Sequence, residues 1–208
     1  DLIESILVEK EVSSYMIEMK EEKNDMITHS LHVCSFATML AFRLGMDKNL
    51  AIDIAKGGLL HDIGLRYLTI PYENCDIDRL SIQEQTEYRK HTINGYVSLG
   101  QESWLTERAK KIVLLHHEYE NGSGYPMNLT SERIPDAVKI ISICDVFDEM
   151  ISGIGFCHRK VQEAIEFLKY NGGQLFYKNY TEVFLSMIVH YPVGSIVRLS
   201  NGDMGKVI

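Results

Sequence analysis

Several things are scarce in this chain, and each scarcity removes a class of protein. The four cysteines (Cys34, Cys75, Cys144, Cys157) show no CxxC spacing and no dense framework. That excludes a disulfide scaffold and leaves reduced thiols, as expected of a cytoplasmic protein. No apolar run reaches the length of a bilayer span and no signal peptide is visible, so no membrane span is expected. Lysine and arginine are outnumbered by acids, 21 against 29, for a net charge of -8. A nonspecific DNA binder needs the opposite balance, so no DNA partner is expected. A small anionic substrate stays open, because bound cations reverse the local field. Internal repeats and low-complexity tracts are absent as well. The chain opens on Asp rather than Met, as expected of a piece of a longer protein.

The 208 residues, 45% of them hydrophobic, suit one medium domain. Residues 1 to 22 read as a linker or interdomain helix with an imperfect apolar stripe, able to join an upstream sensory module or a second copy of the chain. A second helix runs over 25 to 44 up to Gly45, with Leu31, Phe36, Met39, Leu40 and Leu44 as its buried positions. Asp47 caps a third, whose Ile52, Ala55 and Leu59 fall at helical spacing and which ends near His61-Asp62. Residues 65 to 80 read as an irregular excursion. Ser81 and Glu84 form a capping box for a helix through His91 and Asn94. A helix over 104 to 119 precedes the tight loop Asn121-Gly-Ser-Gly-Tyr-Pro126. Residues 135 to 151 form a strongly apolar helix with Pro135 in its first turn. Weaker helices follow over 159 to 170 and 179 to 189, and the tail alternates around Asn201-Gly202 as a β-hairpin does. The expectation is an all-α helical bundle over 23–190 with a hairpin tail over 191–208.

Five of the eight histidines (His29, His61, His91, His116, His117) fall on four separate helices or helix ends, each beside well-patterned apolar sequence. One histidine on a helix is ordinarily a surface or satisfied core residue; the joint occurrence is what points to chemistry. Adjacent buried imidazoles at His116-His117 both need partners. Asp145, inside Ile140-Ile-Ser-Ile-Cys-Asp-Val-Phe147, is a carboxylate in an apolar helix, costly unless paired or metal-bound. In His61-Asp62 the imidazole can take one ion while the carboxylate bridges to a second. Imidazole and carboxylate donors without cysteine suit iron, manganese, zinc or nickel rather than a structural zinc site.

The motifs His29-Ser-Leu-His-Val33, His61-Asp-Ile-Gly64, His91, His116-His-Glu118, Gly122-Ser-Gly-Tyr-Pro126 and Asp145-Val-Phe-Asp148 resemble the HD-GYP family in order and spacing. The ending Tyr191-Pro-Val-Gly-Ser-Ile-Val-Arg-Leu-Ser-Asn-Gly202 is similar to that family's tail. The resemblance implies a helical, metal-dependent phosphodiesterase that opens cyclic di-GMP or a related cyclic dinucleotide, with a metal-bridging hydroxide attacking phosphorus. It implies His29, His61, Asp62 and Asp145 around one divalent ion, iron or manganese. Asp62 would bridge to a second ion held by His91, His116 and His117, making His61 and Asp62 the catalytic centre. Some relatives carry a third ion helped by a carboxylate one turn before the first histidine. Asp25 stands there, with a plain helix-start role as the competing reading. Gly124, Tyr125 and Pro126 would shape the rim that meets substrate.

Departures from the pattern fall on the substrate side. Leu65 replaces the usual Lys after His-Asp-x-Gly. Ile154-Gly-Phe-Cys157 replaces a stretch that ordinarily carries cations, leaving Arg159 and Lys160 as the nearest ones. His32 stands for the usual Arg and Asn121 for the usual Asp. Two function classes follow: an active phosphodiesterase with reduced or shifted activity, and a metal-bearing sensor or scaffold that engages a partner signalling domain.

Overall fold

The computed structural model describes residues 25–188, 196–198 and 203–206, so the helix expected over residues 1 to 22 lies outside the described residues. Local capping chemistry sets where the helices begin. Asp25 accepts the Thr28 N–H at 2.8 Å and starts α1 (Met26–Arg43). Asp47 accepts from Asn49 and Leu50 and starts α2 (Lys48–Leu60). The Ser81–Glu84 capping box opens α3 (Ile82–Ser98), with Ser81 donating its N–H to the Glu84 carboxylate at 2.9 Å. The Thr106 hydroxyl accepts the Ala109 N–H and opens α4 (Glu107–Leu115), which is shorter than the helix expected over 104 to 119. Pro135 caps α5 (Asp136–Ser152) from outside rather than sitting in its first turn. Helices α6 (Val161–Asn171) and α7 (Lys178–Met187) complete the bundle.

The excursion between α2 and α3 holds two short 3-10 turns, Ile63–Tyr67 and Ile77–Arg79. An antiparallel bridge from Glu73 to Ile154 pins it against the segment after α5. In the tail, strands β1 (Ile196–Arg198) and β2 (Met204–Lys206) pair antiparallel, with Ile196 opposite Lys206 and Arg198 opposite Met204. The Asn201-Gly202 turn lies outside the described residues.

Helix α5 is the axis. Every residue from Ile140 to Ser152 is buried, as a helix surrounded on all sides must be. It packs against α1, α2, α4, α6 and α7. Phe36 of α1, Phe147 of α5 and Phe184 of α7 meet edge to face, ring centres 5.2 to 5.9 Å apart.

Two buried-face expectations are overturned. Leu31 is half exposed, while Phe36, Met39 and Leu40 are buried. In α2 the large residues Ile52 and Leu59 face outward, and the inward face is Ala51, Ile54, Gly57 and Gly58. The reason is close approach. A Cβ on Gly57 would strike Ile112 of α4, and one on Gly58 would press on the Cys34 backbone of α1 and on Ile141 of α5. Two glycines and an alanine mark the packed face here together with Ile54, while the equally large Ile52 and Leu59 lie off it. Among the described residues, no helix is long and apolar enough to cross a membrane.

Candidate metal centre

Three histidines are aimed by the same local device. His61 and His116 sit immediately after the last residues of α2 and α4, and His91 lies within α3. In each, the ring Nδ1 reaches a carbonyl three residues earlier: Gly58 at 2.6 Å, Tyr88 at 2.7 Å and Val113 at 2.9 Å. A carbonyl only accepts, so Nδ1 carries the proton and Nε2 is left as a bare lone pair pointing inward. His29 of α1 is aimed from elsewhere: its Nδ1 donates to the Asp148 carboxylate at 2.8 Å. The same carboxylate lies 3.5 Å from His32.

These lone pairs converge. His29 Nε2 lies 3.1 Å from His61 Nε2, and His91 Nε2 lies 3.2 Å from His116 Nε2. In the neutral rings, whose protons sit on Nδ1, neither contact is a hydrogen bond; a second proton on His61 is the one an entering ion displaces. Two carboxylates enter the same space. Asp145 Oδ1 is 3.2 Å from both His29 and His61. Asp62 turns Oδ2 toward His29 and His61 (3.5 and 3.4 Å) and Oδ1 toward His91 and His116 (3.4 and 3.6 Å). Among the described residues neither oxygen of Asp62 or Asp145 has a hydrogen-bond partner, nor does His117 Nε2, although all three residues are buried. Buried acceptors without donors are expensive. Donors around a tetrahedral ion with bonds of 2.0–2.1 Å lie about 3.3 Å apart, which is the spacing seen here. The residues fit two divalent ions, one framed by His29, His61, Asp62 and Asp145, the other by Asp62, His91, His116 and His117.

Electrostatics within the cluster run in opposite directions. Burial alone would lower the His61 imidazole, but the Asp62 and Asp145 carboxylates outweigh it and push it up to about 10. At His91 burial prevails over the pull of Asp62, bringing it down to about 4. His117 is also held well below the usual range, by burial and then by its neighbour His116.

Glycine keeps the centre tight. Gly64 lies against the backbone of α3, where a Cβ would run into the carbonyl of His91 and crowd the Gly95 nitrogen. Gly124 rests on the backbone of His117, Glu118 and Tyr119 with equally little room. Tyr125 follows it, donating its N–H to the His117 carbonyl at 3.1 Å and stacking on the His117 ring at 4.7 Å. Glu118, buried beside His117, accepts the N–H groups of Met127 and Leu129 and so holds the whole 121–129 loop in place.

A cavity of about 570 Å³ opens beside His117, walled by Tyr88, Tyr125, Glu149, Arg89 and Arg159. Its size suits a small-molecule site. Of the rim residues expected from the loop, Tyr125 lines this space, whereas Gly124 and Pro126 do not. Arg159 lines it too, held by Asp76 at 3.3 Å. Lys160 does not; it begins α6, its N–H bound to Glu163. Asp25 belongs to none of the clustered groups among the described residues and serves as the cap of α1.

Three contributors went unread in the sequence. Arg89 reaches over the Tyr125 ring at 5.3 Å and Arg79 lines the same cavity; both lie outside the loops the motifs drew attention to. Glu149 sits one turn after Asp145 on α5 and is 3% exposed. Its signal was available: an acid four residues beyond a candidate ligand in an apolar helix shares that ligand's face.

The model of the HD domain family matches residues 11–179. The chain belongs to the HD domain family. A cyclic di-GMP phosphodiesterase of Pseudomonas aeruginosa, PA4108, is 29% identical over 197 residues, 93% of this chain and 46% of that protein. A cyclic di-GMP phosphodiesterase of Thermotoga maritima is 30% identical over 177 residues, 83% of this chain and 48% of that protein. This HD domain thus spans about half the length of the curated relatives it matches. Among solved structures, Bd1817, an HDG"Y"P protein from Bdellovibrio bacteriovorus, superposes with a TM-score of 0.69 at 21% identity. The match covers 79% of this chain and 52% of that one, a likeness of fold.

Proposed function

We propose that this domain hydrolyses a phosphodiester bond of a cyclic dinucleotide, cyclic di-GMP foremost, with iron or manganese in the two positions described. The observation that carries the reading is the pairing of a two-ion donor set with an adjoining cavity lined by the aromatic rings of Tyr88, Tyr119 and Tyr125 and by three arginines set among three acids, Asp76, Asp78 and Glu149. Seven side chains from α1, α2, α3, α4, α5 and the turns after them aim bare nitrogens and unpartnered carboxylate oxygens at one buried point. His117 and Tyr125 form the wall between that point and the cavity. Nitrogen and oxygen donors without a thiolate suit iron, manganese, zinc or nickel, and the resemblance to the HD-GYP pattern narrows the choice to iron or manganese.

When bound, the ions supply Lewis-acid neutralisation of phosphoryl charge and a lowered pKa for attacking water. The chain's own groups do the rest. His61, His91 and His116 are held to one tautomer by their own backbones, so no reorganisation is required as charge develops. The cations absent at Leu65, Ile154 and Cys157 are supplied from other elements: Arg89 on α3, Arg79 in the turn before it and Arg159 ahead of α6. Asp76 steadies two of them, Arg79 at 3.2 Å and Arg159 at 3.3 Å. Tyr125 offers an aromatic face, with Arg89 above it, against which a base can stack.

One observation favours the metal-bearing sensor as a second reading. Leu65 and Ile154, both fully buried, pack with Ile77 and Tyr88 in one apolar cluster where relatives place cations. The test separates the two. Protein fully loaded with iron or manganese is incubated with cyclic di-GMP, a mixed cyclic dinucleotide and linear pGpG, and the products are separated chromatographically. Turnover of a cyclic dinucleotide is expected, with Arg89→Ala raising KM about tenfold for the loss of one charge-assisted contact. No turnover of any substrate by metallated protein overturns the enzyme reading in favour of the sensor.

A further inference from the structure

The Asp145 carboxylate is used on one side only. Oδ1 faces the first ion position, 3.2 Å from His29 and His61. Oδ2 turns the other way, toward His117 Nδ1 at 3.8 Å, too long for a hydrogen bond. His117 differs from His61, His91 and His116 in having no backbone carbonyl on its Nδ1, and its Nε2 is buried without a partner. One turn further along α5, Glu149 points into the same space. It is 3% exposed, and among the described residues its carboxylate receives one hydrogen bond, from the Tyr88 hydroxyl at 3.4 Å. His117, Asp145 and Glu149 each offer a ligand atom within 4.8 Å of the others.

We infer that His117, Asp145 and Glu149 form a third divalent-cation position, on the cavity side of the two-ion centre; a neutral His117 serves one ion at a time, so with all three positions filled the second keeps Asp62, His91 and His116. Three features support it. A cation between two buried carboxylates one turn apart removes the repulsion that would otherwise keep one of them protonated. Asp145 can bridge outward with Oδ2 as Asp62 bridges between the first two positions. Glu149 and His117 both line the cavity, so an ion there keeps coordination sites open toward a substrate phosphate. Three protein ligands with open positions is the arrangement of a catalytic rather than a structural ion. These donors differ from those of a site built on Asp25, which caps α1 and joins none of the donor groups among the described residues. The inference rests on the metal-centre reading and extends it.

The test counts ions rather than turnover. Wild-type chain, Glu149→Gln, Glu149→Leu and Asp25→Ala are saturated with Mn2+, desalted and assayed for bound manganese by mass spectrometry, with circular dichroism recording the fold. Glu149→Leu suits the buried position should the amide be poorly accommodated. Both Glu149 variants are expected to hold one ion fewer per chain than wild type, with Asp25→Ala unchanged. Wild-type manganese content in folded Glu149→Gln or Glu149→Leu overturns the third position and leaves the two-ion centre standing. Loss of an ion in Asp25→Ala alone moves the third position to Asp25 and also overturns this one. A wild-type chain that takes up no manganese overturns the metal-centre reading itself.

Discussion

At the scale of the residue, the departures from the family pattern acquire a physical explanation that the sequence could not supply. Leu65 stands where the HD-GYP pattern has Lys, on the side of the site that meets substrate. Leu65 is 1% exposed and packs with Ile77, Tyr88 and Ile154, so the two substitutions form one compensated apolar cluster. Leu65→Lys alone puts an ammonium among them, at a cost of about 3–5 kcal/mol for an uncompensated buried charge. Thermal denaturation is expected to show that loss, with no gain in turnover. An unchanged melting temperature would mean the side chain escapes to the cavity. The motif residues were legible because their types are unusual in apolar helices: His29, His61, Asp62, His91, His116, His117 and Asp145 are the ones the fold brings together. Arg79, Arg89 and Glu149 were not, because charged side chains on helices and turns are common and only the three-dimensional cavity distinguishes them.

At the scale of the element, the helices themselves were largely legible, through caps at Asp47 and Ser81 and the apolar run of α5. Which face of α2 packs was not. The helix buries Ala51, Ile54, Gly57 and Gly58 while presenting Ile52 and Leu59 to solvent, since interhelical distance there is set by the absence of side chains. The same principle governs Gly64, whose missing Cβ lets the turn after Asp62 rest on α3 at His91. Gly64→Ala forces that turn and α3 apart. The expected result is a folded but metal-poor protein, with the ion shared by Asp62, His91 and His116 lost first. Metal content against melting temperature checks it: full metal content in Gly64→Ala would show that the two segments separate without disturbing the ligands. Backbone contact of this kind leaves no trace in hydrophobic periodicity, though the glycine itself stands in the motif.

At the scale of the whole molecule, the centre couples proton and metal binding. His61 is pushed up to about 10, so in the metal-free protein it holds a proton through the neutral range. An entering cation must displace that proton. The sign follows: raising pH toward 10 favours uptake, and lowering it opposes uptake. Mn2+ titrations in buffers of different ionisation enthalpy are expected to reveal net proton release at pH 7, with affinity rising about tenfold per pH unit for one proton displaced. Affinity that does not vary between pH 6 and 8 would place His61 in its neutral form before metal arrives.

The ligands also lie far apart along the chain, from His29 on α1 to Asp145 on α5; His61, His91 and His116 are oriented by their own backbones, His29 by Asp148 and His117 by its stacking on Tyr125. No pair of neighbours in sequence can seize an ion with native geometry before the bundle has closed. Cations should therefore be latecomers to folding: stabilising contacts absent from the transition state slow escape from the native state and leave its formation untouched. Stopped-flow refolding with and without manganese is expected to give the same folding rate, while unfolding slows by about the full equilibrium gain. At an ion concentration a hundred times Kd that gain is about 2.7 kcal/mol, roughly a hundredfold in native-state lifetime. Starved of metal, such a domain would still fold on schedule and simply fail to stay folded as long.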